Sequence, residues 1–286
     1  MITPYKDVDS DGKIRVHHLT PNADSGDRVA VFCHPTGFCG LTFASLSCHL
    51  RGLNIFAIDM RSHGYSDRGD VTNWSGFAKD IQAAFEYISD FTQAQKFIGV
   101  GISSGSSAHI LNAKRFPDLY RGLYLCEPIL FPPGVDLKDR DKLADSAEKR
   151  RDFFSSRDEA FNKYKSKGAL SALSPSSLAL YCTHGFRDYE DGVTLSCSKE
   201  DERSIYLSGG ANGVFEALSE IHVPSKIVYG SKSTTINFER AELIASQMKN
   251  ASTEELPNAG HFTLFEQPYI GAKSISRFVD CLSDKD

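Results

Sequence analysis

The sequence contains no apolar run of the roughly 18 residues that a bilayer-spanning helix needs, and its mean hydropathy is −0.30, so it reads as a soluble chain without a membrane partner. It has no excess of positive charge: 32 Lys and Arg stand against 37 Asp and Glu, a formal net charge of −5. That balance offers no basic face for a phosphate backbone and excludes nucleic acid as an expected partner. Its 7 cysteines include no C-x-x-C pair, so neither a disulfide framework nor a zinc site is expected. They read as small buried hydrophobes in a reducing compartment. Met1 to Asp9 has no apolar stretch before acidic residues appear, so no secretory leader is expected and the localisation reads as cytoplasmic. No G-x-G-x-x-G with a downstream acid follows a strand, which leaves no dinucleotide cofactor to expect. What remains is an ordinary globular composition, 41% hydrophobic over 286 residues. At roughly 150 residues per domain, that length suits two domains or one α/β domain with an insertion.

Three short apolar runs, Arg28 to Cys33, Leu53 to Ile58 and Lys96 to Gly101, alternate with segments of helical periodicity. The alternation predicts parallel strands wrapped by helices. Gly122 to Cys126 and Lys226 to Tyr229 read as further buried strands, followed by a helix near Phe238 to Met248, a strand near Thr253 to Leu256 and a last helix opened by Pro268. The clearest helix starts at the cap residue Asn73 and carries Trp74, Phe77, Ile81, Ala84, Phe85 and Ile88 on one face. From Phe131 to Val223 the alternation stops. Helices are predicted there over Asp141 to Phe154, Arg157 to Lys165 and Pro175 to His184, the last with Ser174 as N-cap and Gly185 as stop. The chain thus divides into an α/β core, residues 1–130 and 224–286, and an inserted helical cap, residues 131–223, whose aromatic side chains suit the roof of a pocket.

The run Phe97 to Gly101 leads into Gly101-Ile102-Ser103-Ser104-Gly105 and a helical stretch from Ser106 to Arg115. A G-x-S-x-G between strand and helix is a nucleophile elbow. Its turn is so tight that the flanking positions must be Gly, and the serine is left at the end of the sheet. There the free N–H groups and positive dipole end of the helix stabilise an oxyanion. Ser at position 103 argues for ester, thioester or lactone cleavage.

On these residues the chain resembles the α/β-hydrolase superfamily over nearly its whole length, most weakly within 131–223. The resemblance implies an α/β-hydrolase fold, a mostly parallel eight-stranded sheet flanked by helices with an inserted helical cap. Val31-Phe32-Cys33-His34-Pro35-Thr36-Gly37-Phe38 is similar to the family's His-Gly loop, with Pro35 where Gly is usual, and implies an oxyanion hole from the backbone N–H groups of Thr36 and Ser104. Asp59-Met60-Arg61-Ser62-His63-Gly64-Tyr65-Ser66 resembles the family's D-x-R-G-x-G-x-S loop, whose role is structural, so His63 is assigned no catalytic part. A serine nucleophile needs a base, and His261, in Leu256-Pro257-Asn258-Ala259-Gly260-His261, stands where the family carries its catalytic histidine.

The acid departs from the family's usual pattern. A G-x-x-D follows the strand after the cap in most members, but Gly230-Ser231-Lys232-Ser233 ends in Ser. Two sources remain: the segment Ser231 to Glu239, and Glu127 at the end of the strand preceding the cap. Glu127 is preferred because its strand should lie beside the nucleophile's, about 4.8 Å closer than the usual acid's strand, and the longer Glu side chain suits the reach to His261. This Ser103, Glu127, His261 set resembles the subset that includes zearalenone lactone hydrolases. It implies a serine hydrolase, free of cofactor and metal, that cleaves a carboxylic ester or lactone of a small, largely apolar molecule through an acyl-enzyme on Ser103. The alternatives are hydrolysis of a C–C bond in a vinylogous diketone, or a small-molecule receptor with slow residual hydrolysis. The expected partner is the small-molecule substrate, with a homodimer allowed.

Overall fold

The computed structural model describes residues 5–21, 28–132, 134, 136–209 and 212–283. Its strands are β1 (Tyr5–Ser10), β2 (Gly12–His18), β3 (Val29–Cys33), β4 (Asn54–Asp59), β5 (Phe97–Ile102), β6 (Tyr120–Cys126), β7 (Phe153–Phe154), β8 (Phe186–Tyr189), β9 (Gly192–Leu195), β10 (Ser225–Gly230) and β11 (Ala251–Leu256). Eight of them form one sheet in the order β1-β2-β4-β3-β5-β6-β10-β11. β1–β2 and β2–β4 pair antiparallel, and every other neighbouring pair is parallel. The apolar runs read from the sequence are the central strands. β3, β4 and β5 are buried at every residue because helices cover both faces of the sheet.

The helices Ser75–Thr92, Ser104–Arg115 and Phe238–Ser246 cover one face, where Phe77, Ile81, Phe85, Ile110 and Ile244 share one buried cluster. Asn73 stands two residues before the first of these helices, and its Oδ1 accepts from the Ser75 N–H at 3.1 Å. On the other face the short helix Ala44–Ser47 and the last helix, Pro268–Ser283, contribute Leu46, Ile275, Phe278 and Val279 to a second cluster. Among the described residues no helix is long and apolar enough to cross a membrane.

Residues 131–223 carry the helices Lys138–Glu148, Arg157–Ser166, Pro175–His184 and Lys199–Ser208. The third is bounded as its sequence indicates: the Ser174 side chain accepts from the Ser177 N–H, and Gly185 follows the last turn. The stretch Asp141 to Phe154 differs from its helical expectation. The helix stops at Glu148, and Phe153–Phe154 form β7, which joins β9 and β8 in a three-stranded antiparallel sheet. Strands of two to four residues are too short for alternation to register in a sequence. Phe154, Tyr164, Tyr181 and Phe186 belong to the second cluster of the main sheet, so the segment is packed onto the core rather than around a core of its own.

Two buried histidines make the fold sensitive to acid. Nε2 of His34 accepts from the Met60 N–H at 3.1 Å and its Nδ1 donates to the Pro35 carbonyl at 2.9 Å. His109 lies between the Tyr120 hydroxyl and the Val31 carbonyl. Burial lowers both from 6.5 to about 3. The unfolded chain therefore binds protons that the folded chain refuses, and the associated stability, fully present above the unfolded value, is lost as the pH falls toward the folded one. Going from pH 7 to pH 5, the two histidines together should remove roughly 4 kcal/mol of unfolding free energy, read as a lower urea midpoint at an unchanged slope.

Candidate active site

Ser103 sits between β5 and the helix Ser104–Arg115 at φ 56° and ψ −121°, a strained conformation for a non-glycine residue. The turn holds because its flanks have no side chains. A Cβ on Gly101 would stand 2.4 Å from the Ser106 nitrogen, and one on Gly105 would stand 2.2 Å from the Cys33 carbonyl oxygen. The Ser103 N–H donates to the Cys126 carbonyl at 2.9 Å, which ties the elbow to the end of β6.

Glu127 is the next residue after Cys126. It too has a positive φ, 47°, and its N–H donates to the Val228 carbonyl of β10 at 2.8 Å. That turn aims a buried carboxylate at a cluster of donors. Oε1 accepts from the Gly230 N–H at 2.9 Å, and Oε2 accepts from the Ser233 hydroxyl at 2.7 Å and faces His261 Nδ1 at 3.2 Å. The Ser233 Oγ in turn accepts from the N–H groups of Thr235 and Ile236, at 3.1 and 3.3 Å, so its proton is committed to the carboxylate. Ser233, at the position of the family's usual acid, thus serves Glu127. Glu239 lies exposed on the helix Phe238–Ser246.

His261 completes the chain with Nε2 3.1 Å from Ser103 Oγ. A carboxylate only accepts, so Nδ1 carries the proton and Nε2 is left to receive one from the serine. The loop holding the ring is clamped by Glu266, whose two oxygens accept from the N–H groups on either side of His261: Gly260 at 2.7 Å and Phe262 at 3.0 Å. No motif in the sequence marks Glu266, whose only signal is a carboxylate one turn past the histidine.

The loop after β3 closes the other side. Thr36 Oγ1 donates to Ser104 Oγ at 3.0 Å, bringing together the two residues whose backbone N–H groups were expected to form an oxyanion hole. The Ser104 N–H is the first of its helix and has no acceptor within it. His63 holds this loop: its Nε2 accepts from the Gly37 N–H at 3.0 Å and its Nδ1 donates to the Arg61 carbonyl at 2.8 Å. Burial lowers its basicity, which favours the neutral ring that this acceptor role requires. The buried Asp59 carboxylate fixes the same region by accepting from the N–H groups of Gly40 and Tyr65 and facing His17 Nε2. Among the described residues no group of three or more His, Cys, Asp or Glu is placed to hold a metal ion.

Comparison with known proteins agrees with this architecture. The chain is similar to the crystal structure of E-2-(acetamidomethylene)succinate hydrolase, with a TM-score of 0.84 and 18% identity over 98% of this chain and 100% of that one. A Haemophilus influenzae protein provisionally described as an esterase/lipase is 21% identical over 229 residues, 79% of this chain and 74% of its own. A monoacylglycerol lipase of Xenopus laevis is 27% identical over 75 residues, 26% of this chain; the match spans only 22% of the lipase's length. The sequence model of the alpha/beta hydrolase family matches residues 30–270, and with that span covering most of the chain, the protein belongs to the alpha/beta hydrolase family.

Proposed function

We propose that the protein is a serine hydrolase that cleaves a carboxylic ester or lactone of a small molecule through an acyl-enzyme on Ser103. One observation carries this reading: the unbroken line from Ser103 Oγ to His261 Nε2 at 3.1 Å and from His261 Nδ1 to Glu127 Oε2 at 3.2 Å. His261 takes the Ser103 proton as the oxygen attacks the carbonyl carbon, and the Glu127 carboxylate stabilises the imidazolium that forms. The Thr36 and Ser104 N–H groups receive the developing oxyanion. His261 then protonates the leaving alkoxide, and water, deprotonated by the same ring, releases the acid. Residues 131–223 act as the cap over this site, with aromatic rings forming the apolar wall: Tyr181 against Phe38 at 4.9 Å and Phe38 against Phe262 at 4.8 Å.

The test is turnover of p-nitrophenyl acetate in large excess over protein. Steady release of many equivalents of nitrophenol per chain is expected. A burst of one equivalent with nothing after it would instead mark a receptor that acylates and stalls.

A further inference from the structure

The chemistry just described leaves unused a guanidinium that residues 131–223 deliver against the loop after β3. Arg150 donates from Nη1 to Glu202 Oε2 at 2.8 Å, and from Nη2 to the Tyr181 hydroxyl and, at 3.4 Å, to the Tyr164 hydroxyl. The second Glu202 oxygen accepts from the Tyr206 hydroxyl at 3.1 Å. This cluster lies directly on Gly37, the residue after Thr36. A Cβ there would stand 3.3 Å from Glu202 Oε1 and 3.4 Å from Arg150 Nη1. From the cluster an apolar wall leads to the reactive end: Tyr181 packs on Phe38, Phe38 on Phe262, and Phe262 lies 5.3 Å from the His261 ring.

The Arg150 side chain is half-buried, with 19% of its surface accessible, and it lies against Gly37, next to Thr36. Burying a guanidinium is costly and is repaid only when its donors are well matched. Of its five N–H donors, the named bonds use one on Nη1 and two on Nη2. Nε and the second Nη1 hydrogen have no partner among the described residues. Glu202 engages the guanidinium through one oxygen only, which orients it, and the two uncommitted N–H donors lie on different sides of the group, so a further carboxylate would take one of them together with a phenol. The phenols of Tyr164 and Tyr181 accept from Arg150, so their own protons point elsewhere.

We propose that Arg150, with the Tyr164 hydroxyl beside it, forms the anion-binding end of the substrate site, and that the ester or lactone cleaved carries a carboxylate remote from the scissile carbonyl. The substrate class rests on the hydrolase reading above; the anion site itself does not. Two measurements keep them apart. The first compares kcat/KM for p-nitrophenyl hemiesters of succinate, glutarate and adipate with that for neutral p-nitrophenyl esters of matched length. The wild-type ratio of charged to neutral should reach about 100 for one chain length, and Arg150→Met should bring it to within about threefold of one, chiefly through KM. Arg150→Lys should keep part of the preference. Tyr164→Phe, which retains the packing, should raise KM for the hemiester by about tenfold. A wild-type ratio near or below one, or a ratio unaltered in Arg150→Met and Tyr164→Phe, overturns the proposal, because a purely structural Arg150 would lower both substrates alike. The second measurement is calorimetric binding of glutarate and succinate to Ser103→Ala with and without Arg150→Lys. Binding that weakens at least tenfold with the second change supports the anion site even if no ester turns over, in which case only the hydrolase reading fails. No binding of either dicarboxylate overturns the site whatever the ester kinetics.

Discussion

Replacing Ser103 by Ala should lower kcat for a p-nitrophenyl ester by a factor on the order of 10⁴ or more and abolish covalent labelling by a fluorophosphonate. The effect is this large because the step loses its nucleophile while the rest of the machinery stays in place. Ser103 Oγ is 3.1 Å from His261 Nε2, and the removed hydroxyl has no substitute on the same turn. Ser104 follows it in sequence, but the Ser104 Oγ accepts from Thr36 Oγ1 and is directed to the loop after β3. The elbow should survive the change, since its geometry is set by the missing side chains at Gly101 and Gly105. Full labelling in the Ser103→Ala protein would move the nucleophile elsewhere.

The second large effect concerns the acid. Glu127→Gln keeps the shape and removes the charge, and kcat should fall by roughly 10⁴ with the circular dichroism spectrum unchanged. The carboxylate accepts on both oxygens, from Gly230 on one and from Ser233 and His261 on the other. An amide has one accepting oxygen, so its NH₂ must face a donor. If that donor is His261, the ring takes the other tautomer, with the proton on Nε2, and can no longer act as base. Ser233→Ala should cost less than about tenfold, because the hydroxyl orients the charge without supplying it. The double change Glu127→Ala with Ser233→Asp should recover part of the loss, because Ser233 Oγ already lies 2.7 Å from Glu127 Oε2. Retention of most activity by Glu127→Gln would remove Glu127 from the catalytic set.

How much of this was legible in the sequence follows from the range of the interactions involved. The parallel core could be read because each central strand is a local apolar run, and the elbow because strand, Gly-x-Ser-x-Gly and helix are contiguous. The place of Glu127 beside His261 is legible as a gap, because Ser at position 233 leaves the usual position without a carboxylate, and the pairing of β6 between β5 and β10 is what brings the two strand ends to one point. β1 and β2, at the sheet edge, were not individually resolved in the sequence because only part of each is buried. The three-stranded sheet was missed because its strands are shorter than a period of alternation can show. Glu266 and the Arg150 cluster leave no local signal in the sequence because their partners are backbone N–H groups and side chains set by the fold. Arg150 and Glu202, for example, meet across 52 positions of chain.

The most direct measurement is intact mass and peptide mapping of the protein quenched during hydrolysis of p-nitrophenyl acetate. An acetyl group is expected on the peptide that contains Ser103, appearing faster than it is lost and preserved when the reaction is quenched into acid. An enzyme that turns the ester over with no acyl group on Ser103 at any quench time, or with the group on another residue, would contradict a mechanism built on the Ser103, His261, Glu127 line.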